Sequence, residues 1–234
     1  MTHSFLMIGQ SNMAGRGRFD EVPPIKNPNL LMLRNGRWLQ LKEPVNYDRP
    51  VSGIGLAPAF ADEYEKKFKV KTGLIPCADG GTSLDDWAVN GQLYNHAVAQ
   101  TKLAQKINEV KGILWHQGEN DSDTEEHAQS YRRRFIVILS SLMDDCSLKG
   151  IPVIMGELGE FLIERKDTHQ YFKLVNQELV KIAASHKYIG LASAAGLTAN
   201  EGTIPGMNNI HFDSVSYREF GRRYFQVYLI LINQ

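Results

Sequence analysis

Ser11, His211 and Glu119 are the residues of this sequence whose types and settings suit attack on a carbonyl. Acyl transfer needs a nucleophile, a base to take its proton, a group to orient that base, and donors for the developing oxyanion. Ser11 lies in "SFLMIGQSNMAGRGRF", where an apolar run stops at Gly9 and a polar turn begins. Two readings stand side by side: an activated nucleophile, or a helix N-cap, a role that serine fills well. The segment lacks the G-x-S-x-G elbow, because position 13 is Met, and it lacks the lysine and spacing of a P-loop.

Three further segments carry the remaining parts. In "DGGTSLDDW", Gly80 and Gly81 follow an apolar run, where a backbone N–H can approach a reacting oxygen closely; a plain turn is the alternative. "WHQGEND" delivers His116, Gln117, Glu119, Asn120 and Asp121 within six residues. The Gln117 amide suits a third oxyanion donor, Glu119 suits the orientation of a histidine, and His116 is expected to support the loop. Asp121 and Asp123 are read as caps of the next helix. With Glu125 and Glu126 they form a charged helix start rather than a calcium loop, because the glycine and distal Glu of an EF-hand are missing. His211 lies on the polar loop of "NNIHFDSVSYREFGRRYF", just before an amphipathic run. His96, His127, His169 and His186 fall in or at the ends of expected helices and read as surface residues. Trp87 is either a platform for a sugar ring or a hydrophobic lid. Arg16 and Arg18 are either partners for an acidic sugar or surface and structural residues.

Elements that could position these groups alternate along the chain. Short strand-like runs ("SFLMIG", "VKTGLIPCA", "VKGILWHQG", "IPVIMGEL", "KYIGLAS") are separated by stretches with helical periodicity, including a long helix opened by a Ser122…Glu125 capping box and a last helix begun near Asp213 or Ser214. Such βα repetition predicts an α/β fold, a mostly parallel sheet covered by helices on both faces. Functional groups then gather beyond the carboxyl ends of the strands. The segments holding Ser11, Gly80–Gly81 and Gln117–Glu119 all follow strand-like runs, and His211 is free to return to that edge.

Composition excludes several other classes. The 234 residues are 43% hydrophobic with 26 basic and 26 acidic side chains, ordinary globular values that give no electrostatic footprint for nucleic acid. Arg132–Arg134 read as a solvated helix face. With no linker in view, residues 1–234 are expected to form one domain. Cys77 and Cys146 make neither a disulfide framework nor a zinc site, and both read as ordinary free thiols. "YFQVYLILIN" falls short of the ~20 residues a membrane span needs, and the start reads as a strand rather than a signal peptide, so a cytoplasmic location is expected.

Taken together, "GQSNMAGRG", "DGGTSLDDW", "WHQGEND" and "IHFDSVSYREFGRR" resemble the four blocks of the SGNH hydrolases. They are most similar to the carbohydrate esterase branch with acetylxylan esterases and the sialate O-acetylesterase domain. The resemblance runs from near residue 5 to near residue 224. It implies a flavodoxin-like three-layer α/β/α fold and a serine esterase that removes O-acetyl groups from a carbohydrate. It further implies Ser11 as nucleophile and His211 as base. The Ser11 N–H, that of Gly80 or Gly81, and Gln117 would form the oxyanion hole, and neither metal nor organic cofactor is implied. The broader family places an Asp three residues before the catalytic His, and here Asn208 stands there. Either Glu119 is the charged partner of His211 and Asn208 only steers the loop, or the chain is a weak or inactive relative. A non-catalytic carbohydrate binder, an esterase for simple acyl or aryl esters, and a nucleotide-binding α/β domain are the competing readings.

Overall fold

The computed structural model describes residues 2–165, 167–201 and 210–233. Its strands are β1 (Thr2–Gly9), β2 (Leu30–Arg34), β3 (Arg37–Gln40), β4 (Thr72–Pro76), β5 (Asn108–His116), β6 (Val153–Gly156) and β7 (Ile189–Ala192). Its helices are α1 (Ser11–Ala14), α2 (Ala57–Phe68), α3 (Gln92–Gln105), α4 (Glu125–Asp145), α5 (Phe172–Ser185) and α6 (Ser214–Ile232), with a 3-10 turn at Glu160–Glu164. The strands form one seven-stranded sheet in the order β3-β2-β4-β1-β5-β6-β7, parallel except for β3. Five of them, β4-β1-β5-β6-β7, follow the 2-1-3-4-5 order of the flavodoxin-like sheets.

Alternation along β1 builds the layers. Leu6 and Ile8 point into a core formed with α3, α4 and α5, while Phe5 and Met7 point into one formed with α2 and α6. Both cores are aromatic-rich, and Phe5, Phe60, Tyr64 and Tyr228 meet edge to face in the second.

The β2–β3 hairpin is not expected from the apolar pattern. Its signal is the Asn35-Gly36 turn, both residues at positive φ (50° and 72°), which is the two-residue hairpin chemistry. Thr124, rather than Ser122, caps α4, its side chain accepting from His127 N. Helix α6 begins at Ser214, within the expected bounds, and Asp213 caps it, accepting from Ser216 N at 2.7 Å. Cys77 and Cys146 are buried and free. Among the described residues no helix is long and apolar enough to cross a membrane, and no cluster of three or more His, Cys, Asp or Glu could hold a metal.

The sheet order fixes where the chemistry can gather. Strand β1 lies between β4 and β5, so the segments after all three open onto one crevice at the carboxyl edge, where the order of connection reverses.

Candidate active site

Gly9 ends β1 at φ +130°, and a Cβ there would lie 2.1 Å from His116 O. Only glycine allows β1 and β5 this close together at the point where the chain turns into α1. Gln10, not Ser11, occupies the N-cap position of α1, and its side chain makes no cap bond. Instead Gln10 Oε1 accepts from Gly118 N, Asn120 N and Gln117 Nε2, tying the Ser11 turn to the loop after β5. Ser11 is therefore the first helical residue, 6% exposed, where a backbone N–H has no partner within the helix.

Asn12 brings the distant parts together. Its Nδ2 donates to Ile210 O at 3.1 Å and its Oδ1 accepts from Phe212 N at 3.3 Å, so one side chain holds the peptide groups on both sides of His211. The same Nδ2 donates to Glu119 Oε1, and Tyr217 OH donates to Asn12 Oδ1 at 2.6 Å. The residue beside Ser11 thus sets the position of both His211 and Glu119, across about 200 residues of chain in the first case.

Glu119 is fully buried. Burial alone would push its carboxyl up, but the charge of His116 and hydrogen bonds from His116 and Asn12 hold it below the usual carboxylate range. His116 Nε2 stands 3.3 Å from Glu119 Oε1, and Nδ1 stands 3.2 Å from Tyr224 OH. Tyr224 gives its single proton to Trp115 O at 2.9 Å, so the His116 Nδ1–H is the donor in that contact. His116 thus anchors Glu119 from below, as a support of the loop. His211 is buried and held down to about 4, first by burial, then by the Arg16 guanidinium, with the charge of Glu119 acting upward.

A buried ion pair joins the turn after Ser11 to the glycine loop. Arg16 is bidentate on Asp48, at 3.1 Å and 2.6 Å, and Asp48 Oδ2 also accepts Gly80 N at 2.7 Å. Burial would raise Asp48, yet Arg16, Gly80 N–H and the Ser52 hydroxyl hold it below the usual range. Both side chains are under 5% exposed, so removing one partner leaves a buried charge unpaired. Asp48→Asn should cost about 3 kcal/mol and lower the melting temperature by on the order of 10 °C; thermal unfolding checks this. Asp48 lies in "NYDRP", a stretch with no sequence signal for such a role.

Several expectations are corrected by these contacts. The Gly80 N–H is committed to Asp48, whereas Gly81 is exposed, with open space where a Cβ would stand. Gln117 is fully buried with its amide directed to Asp121 Oδ2 at 2.6 Å and to Thr82 O and Gln10 Oε1, so it braces the loops and is not left free to face an oxyanion. Trp87 is 1% exposed, donates to Thr82 Oγ1 and packs edge-on against Trp115, so it is core rather than a sugar platform. Asp121 is no helix cap. It is buried, accepts from Leu84 N and Gln117, and pairs with Arg134, which removes Arg134 from the solvated face expected for it; burial raises its carboxyl against these contacts. His169 is buried rather than superficial. Arg16 is structural and Arg18 pairs with Asp20 at the surface. Asn208 lies outside the described residues.

Comparison with known proteins places the chain in a family. The family model described as "Carbohydrate esterase, sialic acid-specific acetylesterase" matches residues 1–230. The probable carbohydrate esterase At4g34215 of Arabidopsis thaliana is 34% identical over 197 residues, covering 74% of this chain and 76% of that protein. Its crystal structure superposes with a TM-score of 0.84 at 27% identity, over 97% of this chain and 98% of the other. The fold is shared with NanS (TM-score 0.80, 16% identity, 99% and 98% covered) and with the Xanthomonas citri carbohydrate acetylesterase XAC1771 (0.69, 20%, 96% and 55%). The chain therefore belongs to the carbohydrate esterases of the sialic acid-specific acetylesterase family, with the SGNH hydrolase fold, and is a carboxylic ester hydrolase.

Proposed function

We propose that this esterase removes O-acetyl groups from a carbohydrate through an acetyl-enzyme on Ser11, with His211 as base. His211 takes the Ser11 proton as Oγ attacks the acetyl carbonyl. The oxyanion is met by the Ser11 and Gly81 N–H groups, and losing one such donor costs about 3 kcal/mol of transition-state stabilisation. The imidazolium then protonates the departing sugar oxygen. Water, deprotonated by His211, releases acetate and restores the serine. Glu119 stabilises the imidazolium by charge, which leaves Asn208 a steering role.

The observation that carries this reading is the clamp of Asn12, the neighbour of Ser11, on the peptide groups flanking His211. Acetate release from an O-acetylated sialic acid and from an acetylated xylo-oligosaccharide, followed against pH, tests it. A base held down to about 4 stays neutral far below the ordinary histidine range, so the acid limb of kcat/KM is expected between pH 4 and 5. A limb near pH 6.5 would contradict the buried base. Stability carries the same sign. The unfolded chain takes up the His211 proton first, so the contribution present above pH ~6.5 is lost as pH falls toward 4.

A further inference from the structure

Beside the glycine loop lies a second, polar cleft of about 740 Å³, bounded by the end of β2, the loop at Val45–Asp48, the end of β4 and one face of α3. Arg34, Asp79, Gln92, His96 and Gln100 line it, planar side chains suited to paired hydroxyls. Tyr47 stands at its rim, 69% exposed, between two anchored neighbours. Asn46 exchanges hydrogen bonds with Ala78 O and N at 2.9 Å and 3.0 Å, and Asp48 is held by Arg16. The ring is therefore presented outward from a pinned backbone, an aromatic face that loses little freedom when something stacks on it. Asp79 belongs to this cleft and Gly81 to the acyl site, two residues apart and so within about 7 Å along the chain. Arg49, bridging Asp79 Oδ1 at 2.8 Å and Gly80 O at 3.0 Å, marks the border between them.

We infer that this cleft is a subsite for the sugar residue glycosidically joined to the acetylated one, so that the substrate is a glycan chain and not a lone acetylated monosaccharide. The inference rests on the esterase reading for the identity of the neighbouring site. Polar planar groups with one exposed aromatic fit a pyranose ring, whose edge carries hydroxyls and whose face carries C–H groups. Neutral chains and sialylated chains share this chemistry.

The test compares kcat/KM for acetate release from an O-acetylated monosaccharide and from oligosaccharides in two arms, acetylated xylotetraose and O-acetylated sialyllactose. Every value is divided by the same protein's rate on an aryl acetate. At least one oligosaccharide is expected to exceed its monosaccharide about tenfold, and the arm that does so identifies the chain. Tyr47→Ala should erase that advantage and Tyr47→Phe should keep it, since only the ring face is used. No advantage in either arm, or one untouched by both Tyr47→Ala and Gln92→Ala, would overturn the subsite. If folded wild-type protein releases no acetate from any ester, the esterase reading fails separately. Calorimetry with unacetylated xylotetraose and sialyllactose then decides the cleft: binding weakened about tenfold by Tyr47→Ala upholds it, and absence of binding rejects it.

Discussion

Ser11→Ala is expected to lower acetate release by at least ~10⁴-fold in kcat while the protein remains folded, because a nucleophile removed from a working set leaves only the residual effect of binding and oxyanion donors. The side chain loses one oxygen at a position that caps nothing, since Gln10 holds the cap position of α1. Thermal unfolding of the variant should stay within about 1 kcal/mol of the wild type, which separates a chemical loss from a structural one. Activity surviving the substitution would move the nucleophile elsewhere and dismantle the role given to His211 with it.

Glu119→Gln should be the next most damaging change, with kcat falling about 10² to 10⁴-fold, the upper value being the loss known for Asp to Asn at the orienting position of serine proteases. Glutamine keeps the shape and can still accept from Asn12, but it removes the charge that acts upward on His211. The acid limb of the pH profile should therefore move lower still, a shift that loose packing would not produce. It also leaves His116, fully buried, without its carboxylate at 3.3 Å, so melting should be followed alongside activity. Asn208→Ala is expected to be far milder. Equal and small losses in the two variants would defeat the assignment of Glu119 as the charged partner.

Much of the candidate site is legible in the chain itself, for a physical reason. Strand periodicity is local, and "SFLMIG", "TGLIPCA" and "GILWH" each announce a buried parallel strand that delivers the next few residues to the carboxyl edge of the sheet. Ser11, the glycine pair and the His116–Glu119 run are legible on that ground, and His211 by its loop before α6. The β2–β3 hairpin escapes the same reading although Asn35-Gly36 names its turn, because the flanking strands alternate poorly: β3 is largely exposed at the sheet edge.

Composition, the four motifs and their order determined the fold class, the family and the residue types available for chemistry, since these depend on patterns that neighbours along the chain carry. Only the tertiary structure decided which of them are free to act. Gly80 and Gln117 have the right chemistry but are claimed by Asp48 and Asp121, and Trp87 is buried against Trp115. Asn12 looks like an ordinary turn residue until it is seen to hold Ile210, Phe212 and Glu119 together. The hydrogen bonds of Gly80 and Asn12 join residues 32 to 200 positions apart and leave no periodicity in the sequence, because each is set by where the sheet brings the strand ends and not by what stands beside the residue in the chain.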